Sequence, residues 1–319
     1  DVMPLVDENR ILTDRGLLVM NEKPRLAIQV LQQLKKVNTI TSRTLGFQFA
    51  PLLNAAGRLE DADMAVKFLL SNDLQEAETM AKKLDATNFE RREKEGEMLE
   101  TALALAETQK HFPALILTSP EFHEGINGIV ATRLVERFYK PVLVLSEREE
   151  KLKGSGRSIP ELHLKDALSG CSDLLERFGG HAAAAGCSLI PENLDAFRNR
   201  FFAFCREHIP ESIEPSLKLD GSLEFPKLTD LFVEQLDRLQ PFGEGNPEPL
   251  FSMETPELPF SLIKDKHVKW QLNGNVEIIG WNRAEMYAEN PPSKLAVNLA
   301  FNEFRGRRKI QLTIQDSQV

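Results

Sequence analysis

Asp73–Lys110 reads DLQEAETMAKKLDATNFERREKEGEMLETALALAETQK, and this stretch decides how the rest of the chain divides. Ser71, Asn72 and Asp73 supply side-chain oxygens that can cap a helix start. Leu74, Ala77, Ala81 and Leu84 form one apolar stripe at helical spacing, and Leu99, Ala102, Leu103 and Ala106 form a second. Between them Ala86–Glu97 is almost entirely polar. A continuous helix here spans about 55 Å at about 1.5 Å per residue. Apolar ends with a polar waist suit a strut, each end buried in a different domain and the middle in solvent. The competing reading is two helices broken near Gly96. One exposed glycine costs only about 1 kcal/mol, so the continuous strut is the expectation.

The strut divides two differently patterned regions. On its N-terminal side, helical patterns occupy 22–37, Thr41–Phe49 and Ala62–Leu70, around Pro51–Leu59 (PLLNAAGRL). The opening Asp-Val-Met-Pro-Leu reads as extended, and its lack of an initial Met suggests a piece of something longer. On its C-terminal side the period changes. Ala114–Thr118 and Val142–Ser146 read as strands around a helix at Gly128–Arg137, a β-α-β unit with a parallel pair. Gly154–Ser158 is a small-residue turn or strand, Leu162–Leu168 a helix, and Leu194–Glu207 an amphipathic helix carrying four Phe. Beyond Pro210 and Pro215 the segments are short and alternating: Leu217–Leu223, Val268–Leu272, Val276–Trp281, Leu295–Phe301 and Lys309–Gln315 are expected strands, with one helix at Leu228–Gln240. Five short strands and one helix in about 100 residues fit a small OB-type barrel.

The expected fold is therefore α/β multidomain: a long connecting helix, an α/β domain, then a C-terminal OB-type β-barrel. The expected boundaries are a leading region at 1–72, the connecting helix at 73–110, the α/β domain at 111–210 and the barrel at 211–319.

Composition narrows the function classes. The 319 residues are 42% hydrophobic and 27% charged, which excludes wholesale disorder. No run approaches the roughly 18 apolar residues of a membrane span. Three cysteines without close spacing support neither a disulfide framework nor a cysteine zinc site, and a reducing cytoplasm is the expected compartment. The net charge of −9 argues against a uniformly basic nucleic-acid binder. The charge is uneven, however: 73–108 is Glu-rich, whereas 305–309 reads Arg-Gly-Arg-Arg-Lys. A local basic patch serves nucleic acid on a protein that is acidic overall.

Three glycine-rich segments could grip phosphate. Gly179-Gly180-His181 precedes an alanine run. If that run begins a helix, its N–H groups favour an anion, and the His donates to an oxygen. Gly154-Ser155-Gly156-Arg157-Ser158 offers hydroxyls, close backbone approach and a guanidinium suited to bidentate contact. Asn54-Ala55-Ala56-Gly57-Arg58 repeats the theme. The plainer reading of each is a turn with a solvated side chain or a helix cap. His123-Glu124-Gly125 follows the first strand of the α/β domain, where ligands bind in parallel sheets, although a lone His there is more often ordinary. No nucleophile elbow, P-loop or metal cluster is legible.

Taken together, Pro51–Leu59 (PLLNAAGRL), His123–Leu134 (HEGINGIVATRL), Gly154–Ile159 (GSGRSI), Phe178–Leu189 (FGGHAAAAGCSL), Pro241–Phe251 (PFGEGNPEPLF) and Asn302–Asp316 (NEFRGRRKIQLTIQD) resemble the bacterial RecJ family of single-stranded-DNA-specific 5′→3′ exonucleases, within the DHH phosphoesterase superfamily. The segments follow that family's order over essentially the whole chain. The resemblance implies that 111–210 is the DHH-associated domain and that the nuclease half, with its DHH motif, precedes this sequence. It implies two Mn²⁺ or Mg²⁺ ions in the complete protein, with Asp1 as the one metal-ligand candidate here, so the chain alone is expected to be inactive. It gives His181 and Arg157 catalytic-cleft roles, with Ser155, Gly179 and Gly180 at the phosphate and Arg58 facing the DNA; Asn54, His123 and the cluster Arg305, Arg307 and Arg308 are DNA or phosphate candidates from their local sequence. Implied partners are single-stranded DNA, a single-strand-binding protein and a RecQ-type helicase, for a monomer acting in recombination and repair. The alternative is a catalytically inactive, DNA-binding replication scaffold of the same fold. Trp270 and Phe304 are candidate stacking faces for the strand, with Trp270 equally able to be core.

Overall fold

The computed structural model describes every residue except 1, 2, 149, 211, 214, 290, 291, 305 and 319. The expectations placed on Asp1 and Arg305 therefore lie outside the described residues. The chain forms two compact units: Pro24–Asn38 with Gly46–Pro215, and Asp1–Lys23 with Thr39–Leu45 and Ser216–Val319.

The chain enters through α1 (Asp7–Glu22), which has no buried residue and so no apolar stripe for the sequence to advertise. Helix α2 (Leu26–Lys35) buries Ala27, Val30 and Leu31. The single turn α3 (Ser42–Thr44), closed by a Thr41–Thr44 capping box, runs through a π-helical turn (Leu45–Phe49) into α4 (Ala50–Leu59). After α5 (Asp63–Leu70), helix α6 (Leu74–Gln109) continues for 36 residues without a break. Asp73 caps it, Oδ1 accepting from the Glu76 N–H at 2.8 Å. Ala77, Ala81 and Leu84 are buried on the half that meets α2, α4 and α5. Met98, Ala102 and Ala106 enter the core of the α/β sheet. Both stripes thus lie in one compact unit, and the waist is not wholly solvated. Thr87, Asn88 and Arg91 are buried there, and the Arg91 guanidinium donates to Asn88 Oδ1 and meets Glu95 at 2.6 Å. A polar sequence can be buried where its groups pair, and hydropathy alone does not register that pairing.

The α/β part follows as β1 (Leu115–Ser119), α7 (Glu124–Phe138), β2 (Val142–Arg148), β3 (Lys151–Arg157), α8 (Leu164–Ser169), β4 (Arg177–Gly180), β5 (Ala184–Leu189) and α9 (Leu194–His208). The sheet order is β1-β2-β3-β5-β4. Strands β1 and β2 are parallel, as the β-α-β reading requires, and the other pairs are antiparallel. One face carries Leu143, Leu145, Leu152, Ala185, Cys187 and Leu189 into a core with α8 and α9. The other packs Leu115, Leu117, Val142 and Val144 with α6 and α7. The alanine run at 182–185 starts no helix. Its last two residues open β5, whose side chains alternate between the core and the opposite face, so tertiary burial overrides alanine's helix propensity.

The second unit holds β6 (Gly221–Ser222), α10 (Asp230–Asp237), β7 (Phe251–Glu254), β8 (Ser261–Ile263), β9 (His267–Gln271), β10 (Val276–Gly280), α11 (Ala284–Glu289), β11 (Lys294–Phe304) and β12 (Arg307–Gln318). The sheet order is β6-β7-β11-β12-β10-β9-β8. Strand β7 pairs with β11 and β8 pairs with β9, so the single segment 251–263 borders both ends of the run β11-β12-β10-β9. With β10 and β12 parallel, this is the OB arrangement: a first strand split in two brings the strand order round on itself. Trp270 is core, 2% exposed, with its indole N–H donating to the Leu258 carbonyl, so it is not a stacking face. No helix of the described residues is long and apolar enough to cross a membrane.

Candidate nucleic-acid interface

Antiparallel register builds the first site. Arg157 on β3 pairs with Ala184 on β5, and the His181 N–H, just past β4, donates to the Ala184 carbonyl at 2.8 Å. Cross-strand neighbours share a sheet face, so Arg157, Ala184 and His181 form one row. At about 4.8 Å between strands, its ends are about 10 Å apart. The next row on this face is Ser155–Gly186–Gly179, and the one beyond it Lys153–Ser188–Arg177. Small residues make the floor, and Arg157, His181, Lys153 and Arg177 stand at its corners. Lys153 and Arg177 were missed by motif reading because each is an unremarkable strand residue until register aligns it.

Backbone approach tightens this region. Gly180 has φ +144°, and a Cβ there would lie 2.4 Å from the Ala184 carbonyl oxygen, so only glycine fits. A Cβ on Gly128 of α7 would lie 2.8 Å from the Arg157 guanidinium, so that glycine makes room for the side chain. Arg157 Nη1 donates to the Gly156 carbonyl at 2.8 Å.

A second guanidinium lies nearby. Arg58, in the last turn of α4, donates to the Gly125 carbonyl at 2.9 Å. Burial lowers the Arg58 pKa, and the positive charge of Arg91 adds to it, with Glu95 opposing. Burial likewise lowers that of Arg157, with Arg58 as the second cause. Among the described residues neither makes an ion pair with a carboxylate. Two half-desolvated guanidiniums that repel one another are stabilised by an anion between or beside them. His123 caps α7, Nδ1 accepting from the Gly125 N–H at 3.2 Å. Burial lowers its pKa, and Lys94 and Arg148 act in the same direction. Asn54 is exposed, one turn before Arg58 on α4.

Arg307 and Arg308 lie in the other unit, at the start of β12. Arg307 is exposed. Arg308 stacks 3.4 Å over the Phe301 ring and meets Glu234 at 3.2 Å, so it is engaged within the fold. In OB folds the second and third strands and the loops after the first and fourth bind oligonucleotides. Here those parts are β9 and β10, the β8–β9 turn with Lys264 and Lys266, and the β11–β12 turn beside Arg307. No group of three His, Cys, Asp or Glu that could hold a metal occurs among the described residues, so they do not by themselves fit a two-metal centre.

Comparison with known proteins follows this geometry. A family model for the DHHA1 domain matches residues 111–207, and one for the RecJ OB domain matches 219–316. The single-stranded-DNA-specific exonuclease RecJ of Dickeya dadantii (strain 3937) is 38% identical, over 99% of this chain and 58% of its own length. The Bacillus subtilis (strain 168) protein of the same name is 34% identical, over 100% and 42%. The crystal structure of RecJ in complex with Mn²⁺ from Thermus thermophilus superposes with a TM-score of 0.87 at 31% identity, covering 100% of this chain and 48% of that one. The chain thus spans about half the length of these relatives.

Proposed function

The chain belongs to the RecJ family, and from that premise we propose that it is the substrate-gripping part of a metal-dependent 5′→3′ exonuclease for single-stranded DNA. One observation supports this most: Arg157 and His181, from separate glycine-rich segments, share a cross-strand row over a floor of small residues. A 5′-phosphate held there would be contacted by Arg157, the Ser155 hydroxyl and the Gly180–His181 backbone, with Arg58 beside it. Fixing the terminal phosphate fixes the distance to the scissile bond, which favours release from an end over internal cutting. The OB unit would hold the strand farther along. The divalent ions would be Mn²⁺ or Mg²⁺, the metals named for the solved Thermus thermophilus RecJ structures; a pair of them would activate water and stabilise the charge of the transition state. No group of three His, Cys, Asp or Glu that could hold them occurs among the described residues, and in this reading the chain alone would hold DNA without hydrolysing it.

Binding of a 5′-phosphorylated and a 5′-hydroxyl oligonucleotide to the intact chain, measured by anisotropy with Mn²⁺ present, tests the reading. The phosphorylated strand should bind more tightly, with no nucleotide released. Arg157→Ala should remove about 1.5–3 kcal/mol of that preference, the range for a hydrogen bond to a charged group. His181→Ala should weaken it through the same site, so the double variant should lose less than the sum. Equal affinity for the two oligonucleotides in the unsubstituted chain would refute the site.

A further inference from the structure

We propose that Trp281 is the base-stacking platform of the OB unit, taking an unpaired nucleotide of single-stranded DNA on its exposed ring; this rests on the strand-holding role proposed for that unit. The protein has two tryptophans. Trp270 fills the core, whereas Trp281 is 51% exposed. Trp281 follows the last residue of β10, where the register Gly280↔Val268 carries on to place it opposite His267. Ile263 pairs with His267 from the other side. The row Ile263–His267–Trp281 therefore runs across β8 and β9 to the residue just past β10, on the face opposite buried Val268 and Trp270.

The ring's surroundings are fixed. His267 Nδ1 accepts from the Asn282 N–H at 2.9 Å, and the His267 and Trp281 rings meet edge to face with centroids 4.8 Å apart at 74°. The Ala284 N–H donates to the Lys266 carbonyl at 3.2 Å, tying the β8–β9 turn to the start of α11. Lys264 and Asp265 hold that turn with φ of 52° and 53°. An aromatic face set by its neighbours loses little side-chain entropy on binding, which is what makes a stacking platform effective.

Position selects the occupant: Trp281 follows β10, the third OB strand, and its His267 neighbour opens β9, the second, and this is the face on which OB folds take oligonucleotides. Exposed Lys264 and Lys266 lie in the β8–β9 turn, with Asp265 between them and Glu285 on α11. The adjacent row on this face carries Lys269, whose ammonium is paired with Glu277 at 2.7 Å. The two turn lysines could meet the phosphates of a strand whose base turns onto the ring.

The intact chain reports on itself through tryptophan emission. A (dT)₁₀ oligonucleotide should quench the solvent-exposed component of that emission and leave the component from buried Trp270 unchanged. Trp281→Ala should abolish the quench and weaken binding about five- to hundredfold, the range for losing one stacked base. Trp281→Phe should recover part of the affinity. Neither change should alter the salt slope, because no phosphate contact is removed. Binding with no change in emission and no loss in Trp281→Ala overturns the platform while leaving strand holding intact. Failure of the unsubstituted chain to bind at low salt removes both. An emission change that depends on protein concentration without oligonucleotide assigns the face to a second copy and also overturns the proposal.

Discussion

Glu277 is a carboxylate placed where a DNA-facing surface would be expected to exclude one. It is 4% exposed on β10, and Lys269 Nζ at 2.7 Å, Gln311 Nε2 at 2.8 Å and Lys309 Nζ at 3.6 Å converge on it. Burial pushes its pKa up, but the hydrogen bonds from Lys269 and Gln311 and the two lysine charges outweigh that and hold it below the ordinary glutamate value. A carboxyl depressed on folding adds stability above its unfolded pKa of about 4.3, and that stability is lost as pH falls through the lower folded value. Glu277→Gln should therefore destabilise the chain at pH 7, and the gap from the unsubstituted chain should narrow below about pH 4. Urea midpoints at pH 7 and pH 3.5 measure this, and a gap that stays constant would contradict the assigned ion pair. At this scale the sequence was partly legible. Glycines beside Arg157 and His181 announced themselves, because close backbone approach needs glycine. The proximity of Arg58 to Arg157 did not, since 99 residues separate them and nothing local encodes it. The side of the sheet taken by Trp270 was equally hidden until the register to Ile278 put it in the core.

Elements were readable where a local signal coincided with burial. Helix α6 was readable because Asp73 caps it and two stripes bracket it. The parallel pair β1–β2 was readable because both strands are continuous apolar runs. Helix α1 escaped because it buries nothing, and β5 was open to misreading because alanine favours helix in isolation. Strands β7 and β8 were missed because they are the two halves of one bent segment with Pro256 and Pro259 between them. The continuity of α6 has a measurable consequence. Gly96 is an exposed mid-helix glycine, and a Cβ there would meet nothing within 4 Å. Gly96→Ala should then stabilise the chain by about 1 kcal/mol, the full propensity difference, with no change in oligonucleotide binding. A destabilisation in equilibrium urea unfolding would mean that α6 bends or breaks there in solution.

At the scale of the whole molecule, the chain order and the folded units disagree, and this bears on how the OB unit can be isolated. The sequence bounds the barrel domain at 211–319, and the compact unit that holds most of it also takes Asp1–Lys23 and Thr39–Leu45. The bracing runs onto the Pro241–Pro249 segment. The Leu5 N–H donates to the Glu244 carbonyl at 2.6 Å, and Arg10 Nη2 donates to the carbonyls of Leu239 at 2.8 Å and Gln240 at 3.2 Å. The Ser42 hydroxyl donates to the Phe242 carbonyl at 2.7 Å. Gly243 and Gly245 lie so close to Leu5 and Pro4 that a Cβ on either would crowd them, at 2.7 and 3.1 Å. The glycines of this segment therefore make a seat for the start of the chain, a structural reason for them beside any part in holding DNA. Removing residues 1–23 takes away the Arg10 and Leu5 hydrogen bonds and the Leu5 packing, which should cost the OB unit about 2–4 kcal/mol. In a Trp281→Phe background the remaining emission comes from Trp270 inside the OB core and reports that unit's unfolding. Its urea midpoint should fall on truncation, while the far-ultraviolet helix signal, dominated by α6, α7 and α9 of the other unit, should keep its own midpoint. If the Trp270 transition does not move, the N-terminal segment rests on the barrel without stabilising it, and 211–319 folds unaided.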